Sequence, residues 1–154
     1  MSPRVIFVRH GKLCTRFRKE PHLTTIDPAG ETEWTKTGQH TSFSEIDLTP
    51  AGANQVSSIA PTLVGGGKLI DPKQLVSVIV SPRTRTRTTA RLLLSQSGVS
   101  EDKINYDEQI TEWNYGGYEG KLKDQIYAMR KAKGLDKDRL WDVWKDGCND
   151  DGGE

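Results

Sequence analysis

Leu75-Val76-Ser77-Val78-Ile79-Val80-Ser81-Pro82-Arg83-Thr84-Arg85-Thr86-Arg87-Thr88-Thr89-Ala90-Arg91-Leu92-Leu93-Leu94-Ser95 is the stretch that decides the fold class. Its first six residues form a short apolar, β-branched run, the kind that makes a parallel strand buried on both faces. Ser81-Pro82 interrupts the run and reads as the start of a helix through about Ser95. The first half of this pattern recurs at Val5-Ile6-Phe7-Val8, which ends abruptly in Arg9-His10-Gly11. The second half recurs at Thr49-Pro50, an N-cap with proline at the first helical position; that helix should run to about Ala60, where Pro61 ends or kinks it. Leu122, Ile126 and Met129 mark one face of a third helix closed by Gly134, and Leu140, Trp141 and Trp144 a short fourth stopped by Gly147. Strands alternating with helices predict an α/β layered domain. Gly65-Gly66-Gly67 reads as a surface turn, because no Lys-Ser/Thr follows it as in a phosphate-binding loop.

The chain has 154 residues, suited to one domain, and its 34% hydrophobic content allows a modest core. Lys and Arg total 22 against 21 Asp and Glu, a net charge of +1. That balance argues against a nucleic-acid-binding surface but leaves room for a local anion pocket. Three histidines and two cysteines are too few and scattered for a structural zinc module, so Cys14 and Cys148 read as unpaired thiols. No apolar run approaches the ~18 residues of a membrane span, and the N-terminus enters a strand directly with no room for a signal peptide. A cytoplasmic protein with no membrane partner is expected.

Ligands of open α/β sheets bind beyond the carboxyl ends of the strands, where Arg9-His10-Gly11 and Ser81–Arg85 both stand. Gly11 lets backbone N–H groups approach an anion, and Arg9 offers phosphate oxygens a planar fork. A neutral His10 imidazole between them can attack phosphorus to give a phosphohistidine, although three such residues also suit a plain surface turn. Arg83, Arg87 and Arg91 recur every fourth residue and read as a solvated basic stripe. Arg85 falls across the helix with Thr89, Leu92 and Leu93, so its guanidinium must find a counter-ion or point into the strand-end crevice. An oxyanion at the helix N-terminus meets both needs. In the Gly- and aromatic-rich loop Thr111–Gly120, a carboxylic acid among rings can have its pKa raised enough to donate a proton at neutral pH. Glu112 is the better placed for that; Glu119 reads as a cap or a solvated residue.

Arg9-His10-Gly11, Glu31-Thr32-Glu33-Trp34, Leu48-Thr49-Pro50-Ala51-Gly52-Ala53-Asn54-Gln55, Ser81–Arg85 and Ile110–Gly116 stand in that order along the chain. Together they resemble the histidine phosphatase superfamily, the phosphoglycerate-mutase-like proteins. The loop Glu112–Gly120 and the later Trp141-Asp142-Val143-Trp144-Lys145-Asp146-Gly147-Cys148 look most like its fungal sedoheptulose-bisphosphatase branch. The resemblance implies a three-layer α/β/α sheet, with His10 as the phosphate-accepting nucleophile and Glu112 as proton donor to the leaving oxygen. It makes Arg9, Gly11 and Arg85 the phosphate-binding residues, implies no metal or organic cofactor, and gives a small phosphate ester as partner. The activity implied is hydrolysis of a sugar (bis)phosphate. Phosphoglycerate mutase activity is the alternative, against which stands Thr35, where the mutase pattern has Asn.

Two features depart from the family pattern. Residues 12–30 separate Arg9-His10-Gly11 from Glu31, which the family joins almost directly, and they show neither helical nor strand period. The family's second catalytic histidine comes from a C-terminal portion; His22, in the insert, and His40, in a turn, do not match it. The expectation is a single incomplete domain over 1–154, C-terminally truncated, with an atypical insert at 12–30. A retained intron in the gene sequence accounts for both departures; the rival is a basic lid carrying Arg16, Arg18 and Lys19. Such a chain should be inactive or impaired, or a non-catalytic fragment that binds phosphate or a partner protein. Unpaired apolar strand edges would favour a homo-oligomer.

Overall fold

The α/β order expected from the apolar runs is present in the computed structural model, which describes residues 4–9, 18–20, 23–26 and 30–148. In chain order the elements are β1 (Val5–Val8), β2 (Arg18–Glu20), β3 (Leu23–Ile26), α1 (Glu33–Thr37), α2 (Pro50–Leu63), β4 (Val78–Val80), α3 (Thr84–Leu94), β5 (Ile104–Tyr106), α4 (Lys123–Ala132) and α5 (Val143–Asp146). Single 3₁₀ turns occupy Glu101–Lys103, Glu108–Ile110 and Gly116–Tyr118.

Two sheets form among the described residues. One has the order β1-β3-β2, with β3 parallel to β1 (Val5 opposite Leu23, Val8 opposite Ile26) and antiparallel to β2. The other is the parallel pair β4-β5, with Val78 opposite Ile104 and Val80 opposite Tyr106. Strands inside 12–30 correct the sequence expectation, which found no strand period there. An apolar strand such as β1 leaves a row of N–H and C=O groups to be paired, and a short segment can meet that need on backbone pairing without a long alternating pattern. Burial of β1 and β4 on both faces is also corrected. Ile6 packs toward the helical core and Val80 is buried, whereas Val5, Phe7 and Ile79 are each more than half exposed.

The main core lies where α2 meets α3. Gly52, Val56, Ala60 and Leu63 form the buried stripe of α2, and Arg85, Thr89 and Leu93 that of α3. Val56, Ala60, Leu63, Ile70 and Leu93 pack as one cluster, with Ile6, Leu48 and Leu75 against it. A second cluster joins Tyr118, Ile126, Trp141 and Cys148 and anchors α4 and α5 beneath the aromatic loop. Thr49 caps α2 as expected, its hydroxyl accepting the Gly52 N–H at 3.0 Å. The helix passes Pro61 and ends at Leu63, where Val64 N–H still reaches the Ala60 carbonyl at 2.9 Å. Proline is tolerated this close to the end because the helix has little left to lose beyond it. Helix α3 begins at Thr84, not at Ser81, and Arg83 at its N-cap supplies no side-chain hydrogen bond to the helix.

The Glu31-Thr32 backbone crosses over the first turn of α2. Thr49 N–H donates to the Glu31 carbonyl at 2.8 Å, and Thr32 bridges to Leu48. A Cβ on Gly52 would lie 2.3 Å from the Glu31 carbonyl oxygen and 2.5 Å from its nitrogen, so only glycine allows this approach. Gly52→Ala is expected to cost about 2–3 kcal/mol, as overpacking does, and to lower the melting temperature by roughly 4–12 °C. Gly66→Ala, with nothing within 4 Å of its new Cβ, should melt close to the parent chain. Thermal denaturation followed by circular dichroism makes the comparison.

Candidate active site

Arg9 follows β1 directly, and Glu112 follows the 3₁₀ turn beyond β5, yet their side chains meet: Arg9 Nη2 lies 3.5 Å from Glu112 Oε2. The two side chains are 71% and 35% exposed, so water screens the pair and it contributes little to stability. Glu112 Oε1 also accepts the Trp113 N–H at 3.1 Å. Glu112 was expected among aromatic rings; its carboxylate instead faces a guanidinium, with Trp113 half-exposed beside it. His10, Gly11 and Cys14 lie outside the described residues.

Arg85, in the first turn of α3, is 1% exposed. Its Nη2 donates to the Ser42 carbonyl at 2.7 Å and its Nη1 to the Ser44 carbonyl at 2.9 Å. Burial pushes the guanidinium below its ordinary pKa, and the carboxylates of Glu119, Glu45 and Glu112 oppose that push. The charges of three acids from two loops therefore act on one buried cation. Burial, aided by Glu112, likewise raises the Tyr115 hydroxyl.

The N-terminus of α3 holds a carboxylate of the protein rather than the oxyanion expected to answer Arg85, and that carboxylate bonds Thr84 and Arg83 while Arg85 bonds the Ser42 and Ser44 carbonyls. Glu45 Oε2 accepts the Thr84 N–H at 2.8 Å and the Thr84 hydroxyl at 2.5 Å. Arg83 is corrected from the solvated stripe: Nη1 reaches Glu45 at 2.9 Å, Nη2 reaches Glu108 at 2.6 Å, and the guanidinium lies 5.3 Å from the centre of the Phe43 ring. Arg87 and Arg91 remain exposed, with Arg87 stacked on Tyr106 at 5.1 Å. Glu119 caps the Ser42–Ser44 segment, its Oε1 accepting both N–H groups at 2.8 and 3.0 Å. Sequence spacing missed Glu45 and Glu108 because each lies tens of residues from Arg83. The one available signal was an α3 N-terminus lacking a cap of its own.

Among the described residues no three His, Cys, Asp or Glu side chains cluster as a metal ion would need. A cleft of about 560 Å³ opens between the ends of α2 and α3 and the Gly65-Gly66 turn, at the far end of α3 from Arg85. Its polar groups are engaged locally: Lys68 Nζ donates to the Pro61 carbonyl, and Asp71 accepts the Gly67 and Lys73 N–H groups. The chemistry gathers instead around Glu112 and Arg85.

Residues 29–154 match the histidine phosphatase superfamily (branch 1). This chain belongs to that family. It is 34% identical over 151 residues to sedoheptulose 1,7-bisphosphatase of Saccharomyces cerevisiae, covering 96% of this chain and 49% of that protein. It is 36% identical over 119 residues to an acid phosphatase of Mycobacterium tuberculosis, covering 77% and 49% respectively. The structure of a phosphoglycerate mutase from Bacillus anthracis superposes with a TM-score of 0.57 at 20% identity, over 92% of this chain and 51% of that one, which shows a shared fold. The chain spans about half the length of the curated relatives it matches. Arg9-His10-Gly11 precede the family match, while Arg85 and Glu112 fall inside it.

The Glu45 cap has a pH signature in this histidine-phosphatase-family chain. Hydrogen bonds from the Thr84 hydroxyl and N–H, and then the Arg83 charge, hold the Glu45 carboxyl below the usual range. A carboxyl depressed by folding stabilises the protein above its unfolded pKa, and that contribution disappears as pH falls through the folded value. Glu45→Gln should therefore melt lower than the parent at neutral pH, and the gap should close in acid. Melting curves from pH 7 down to pH 3 measure it, and a gap independent of pH would contradict this account of the cap.

Proposed function

We propose that this chain carries the phosphate-handling part of a phosphomonoester hydrolase acting on a sugar (bis)phosphate, through a phosphohistidine on His10. The observation that carries the reading is the meeting of Arg9 with Glu112, two groups 103 residues apart whose exposed pairing contributes little to the fold. In this reading Arg9 and Arg85 stabilise charge on the in-flight phosphoryl oxygens, and Gly11 lets backbone N–H groups approach them. Glu112 donates the proton that the departing sugar oxygen needs. The names of the yeast and mycobacterial relatives favour hydrolysis over mutase chemistry. Thr35 gives no support to either side: its hydroxyl accepts the Thr32 N–H and donates to the Thr32 carbonyl, each at 2.8 Å, closing the N-cap of α1. The balanced charge favours a small ester over nucleic acid as partner, and a cytoplasmic setting remains part of the proposal.

The second histidine implied by the resemblance has no counterpart among these residues, so the 154 residues alone should bind phosphate and turn over weakly. Incubation with ³²P-labelled sugar bisphosphate should leave a label that is stable in alkali and labile in acid, and His10→Ala should abolish it. Arg85→Ala should slow labelling about a hundredfold, as loss of an electrostatic stabiliser does. Glu112→Gln should impair sugar phosphates far more than aryl phosphates, whose leaving groups need no proton. Label surviving in His10→Ala would refute the nucleophile.

A second reading, self-association without catalysis, is favoured by the bare face of β1 and β4, where Val5, Phe7 and Ile79 are exposed. Sedimentation velocity should then show a concentration-dependent dimer that Phe7→Lys dissociates. A parent chain monomeric at all concentrations would remove this reading.

A further inference from the structure

We propose that Glu119 is a positioning residue for Arg85, setting the Ser42–Ser44 segment whose carbonyls hold the guanidinium. The inference rests on the reading of Arg85 as a phosphate ligand. One short segment is gripped from two sides. Glu119 Oε1 accepts Ser42 N–H at 2.8 Å and Ser44 N–H at 3.0 Å, while the carbonyls of the same two residues accept from Arg85 Nη2 at 2.7 Å and Nη1 at 2.9 Å. A peptide segment held at both N–H groups by a fixed acceptor cannot shift its carbonyls freely.

Glu119 is itself fixed by the loop that carries it. Gly120 N–H donates to the His40 carbonyl at 2.8 Å, His40 N–H donates to the Lys121 carbonyl at 3.1 Å, and Gln39 Nε2 donates to the Gly120 carbonyl at 2.8 Å. Gly120 has φ +72°, and its place against the Trp34 ring leaves a Cβ only 2.9 Å from Cη2. The aromatic loop is thus latched to the segment just before Ser42, with Glu119 at the latch. Glu119 Oε2 is buried and accepts no hydrogen bond from the described residues. A carboxylate oxygen left so is costly unless its charge is offset nearby, and the buried guanidinium offsets it. Neither Glu119 nor Ser42 touches the reacting groups in this reading. They set the distance between the Arg85 cation and the strand ends.

The test separates position from charge. A glutamine at 119 can still accept both N–H groups but carries no charge; an alanine can do neither. In ¹⁵N–¹H spectra of the 154-residue chain, an immobilised Arg85 guanidinium shows separate Nη signals. These should coalesce in Glu119→Ala and persist in Glu119→Gln. Calorimetric titration with inorganic phosphate, well below the melting temperature, should find binding about tenfold weaker in Glu119→Ala, within about twofold of the parent in Glu119→Gln, and lost in Arg85→Ala. Where Glu119→Ala does not fold, Glu119→Asp, too short to reach both N–H groups, replaces it with the same expectation. Separate Nη signals in the alanine or aspartate variant overturn the positioning role, as does tighter phosphate binding in every Glu119 variant, which would mean that Glu119 acts by charge alone. Coalescence with phosphate binding unchanged in Arg85→Ala, or with no phosphate binding by the parent chain, overturns the phosphate role of Arg85 and with it the functional part of the proposal.

Discussion

A guanidinium with only 1% of its surface exposed must have acceptors and a counter-charge, because a buried cation left without them costs several kcal/mol. Arg85 therefore imposes an arrangement on its surroundings. The segment after α1 must bring two carbonyls to it, the loop after β5 must bring the Glu119 carboxylate behind them, and α3 must start where its first turn faces inward. The Ser42 and Ser44 carbonyls, the Glu119 latch and the Glu45 cap all answer that demand. Three separate stretches of chain are tied together around one charge.

The same constraint explains why the aromatic loop can be rich in glycine without losing its place. Its backbone is pinned to His40 and Gln39 on one side, and its aromatic residues continue into the second core through Tyr118, which is fully buried against Ile126 and Trp141. Arg130 closes that core from below, donating to Tyr118 Oη at 3.1 Å and forking onto Asp136 at 2.7 Å. Its guanidinium is held above its ordinary pKa chiefly by the Asp136 hydrogen bonds, the reverse of Arg85, where burial dominates. One arginine closes a core; the other is held under strain of desolvation beside a candidate phosphate site.

Val5 and Phe7 on β1 and Ile79 on β4 are apolar side chains left exposed, and the chain spans about half the length of its curated relatives. A layered α/β sheet is stable when both faces are covered, and these side chains are left uncovered by the described residues. In the main core α2 and α3 present their buried stripes to Ile6, Leu48, Leu75 and each other.

Much of this was legible in order along the chain. Placing Arg85 on the face of Thr89, Leu92 and Leu93 anticipated the buried stripe of α3, in which Arg85, Thr89 and Leu93 are buried and Leu92 partly so, and Thr49-Pro50, Gly134 and Gly147 marked helix ends correctly. Family membership followed from five motifs in sequence, each legible because catalysis and close backbone approach demand particular residue types at short spacing. Gly52 shows this directly: its motif position is where the Glu31 backbone passes too close for a Cβ.

Local spacing could not reveal contacts made across the fold. An oxyanion to answer Arg85 was expected at α3; the carboxylate found there, Glu45, lies 39 residues from Thr84 and caps it, a contact that depended on how the loop before α2 returns. Arg83 left the solvated stripe because Glu45 and Glu108 converge on it from two other loops, and β3 found its place by pairing with β1. Local spacing set the buried stripes of α2 and α3, the glycines that close α4 and α5, and the family, since those follow from periodicity and backbone sterics within a few residues; it misjudged the faces expected of α4 and α5, where Ile126 and Trp141 are buried but Leu122, Leu140 and Trp144 are exposed. Which carboxylate answers which guanidinium came from the folded arrangement, because a charge selects its partner by distance in space, and that distance is set by how the loops and helices pack rather than by separation along the chain.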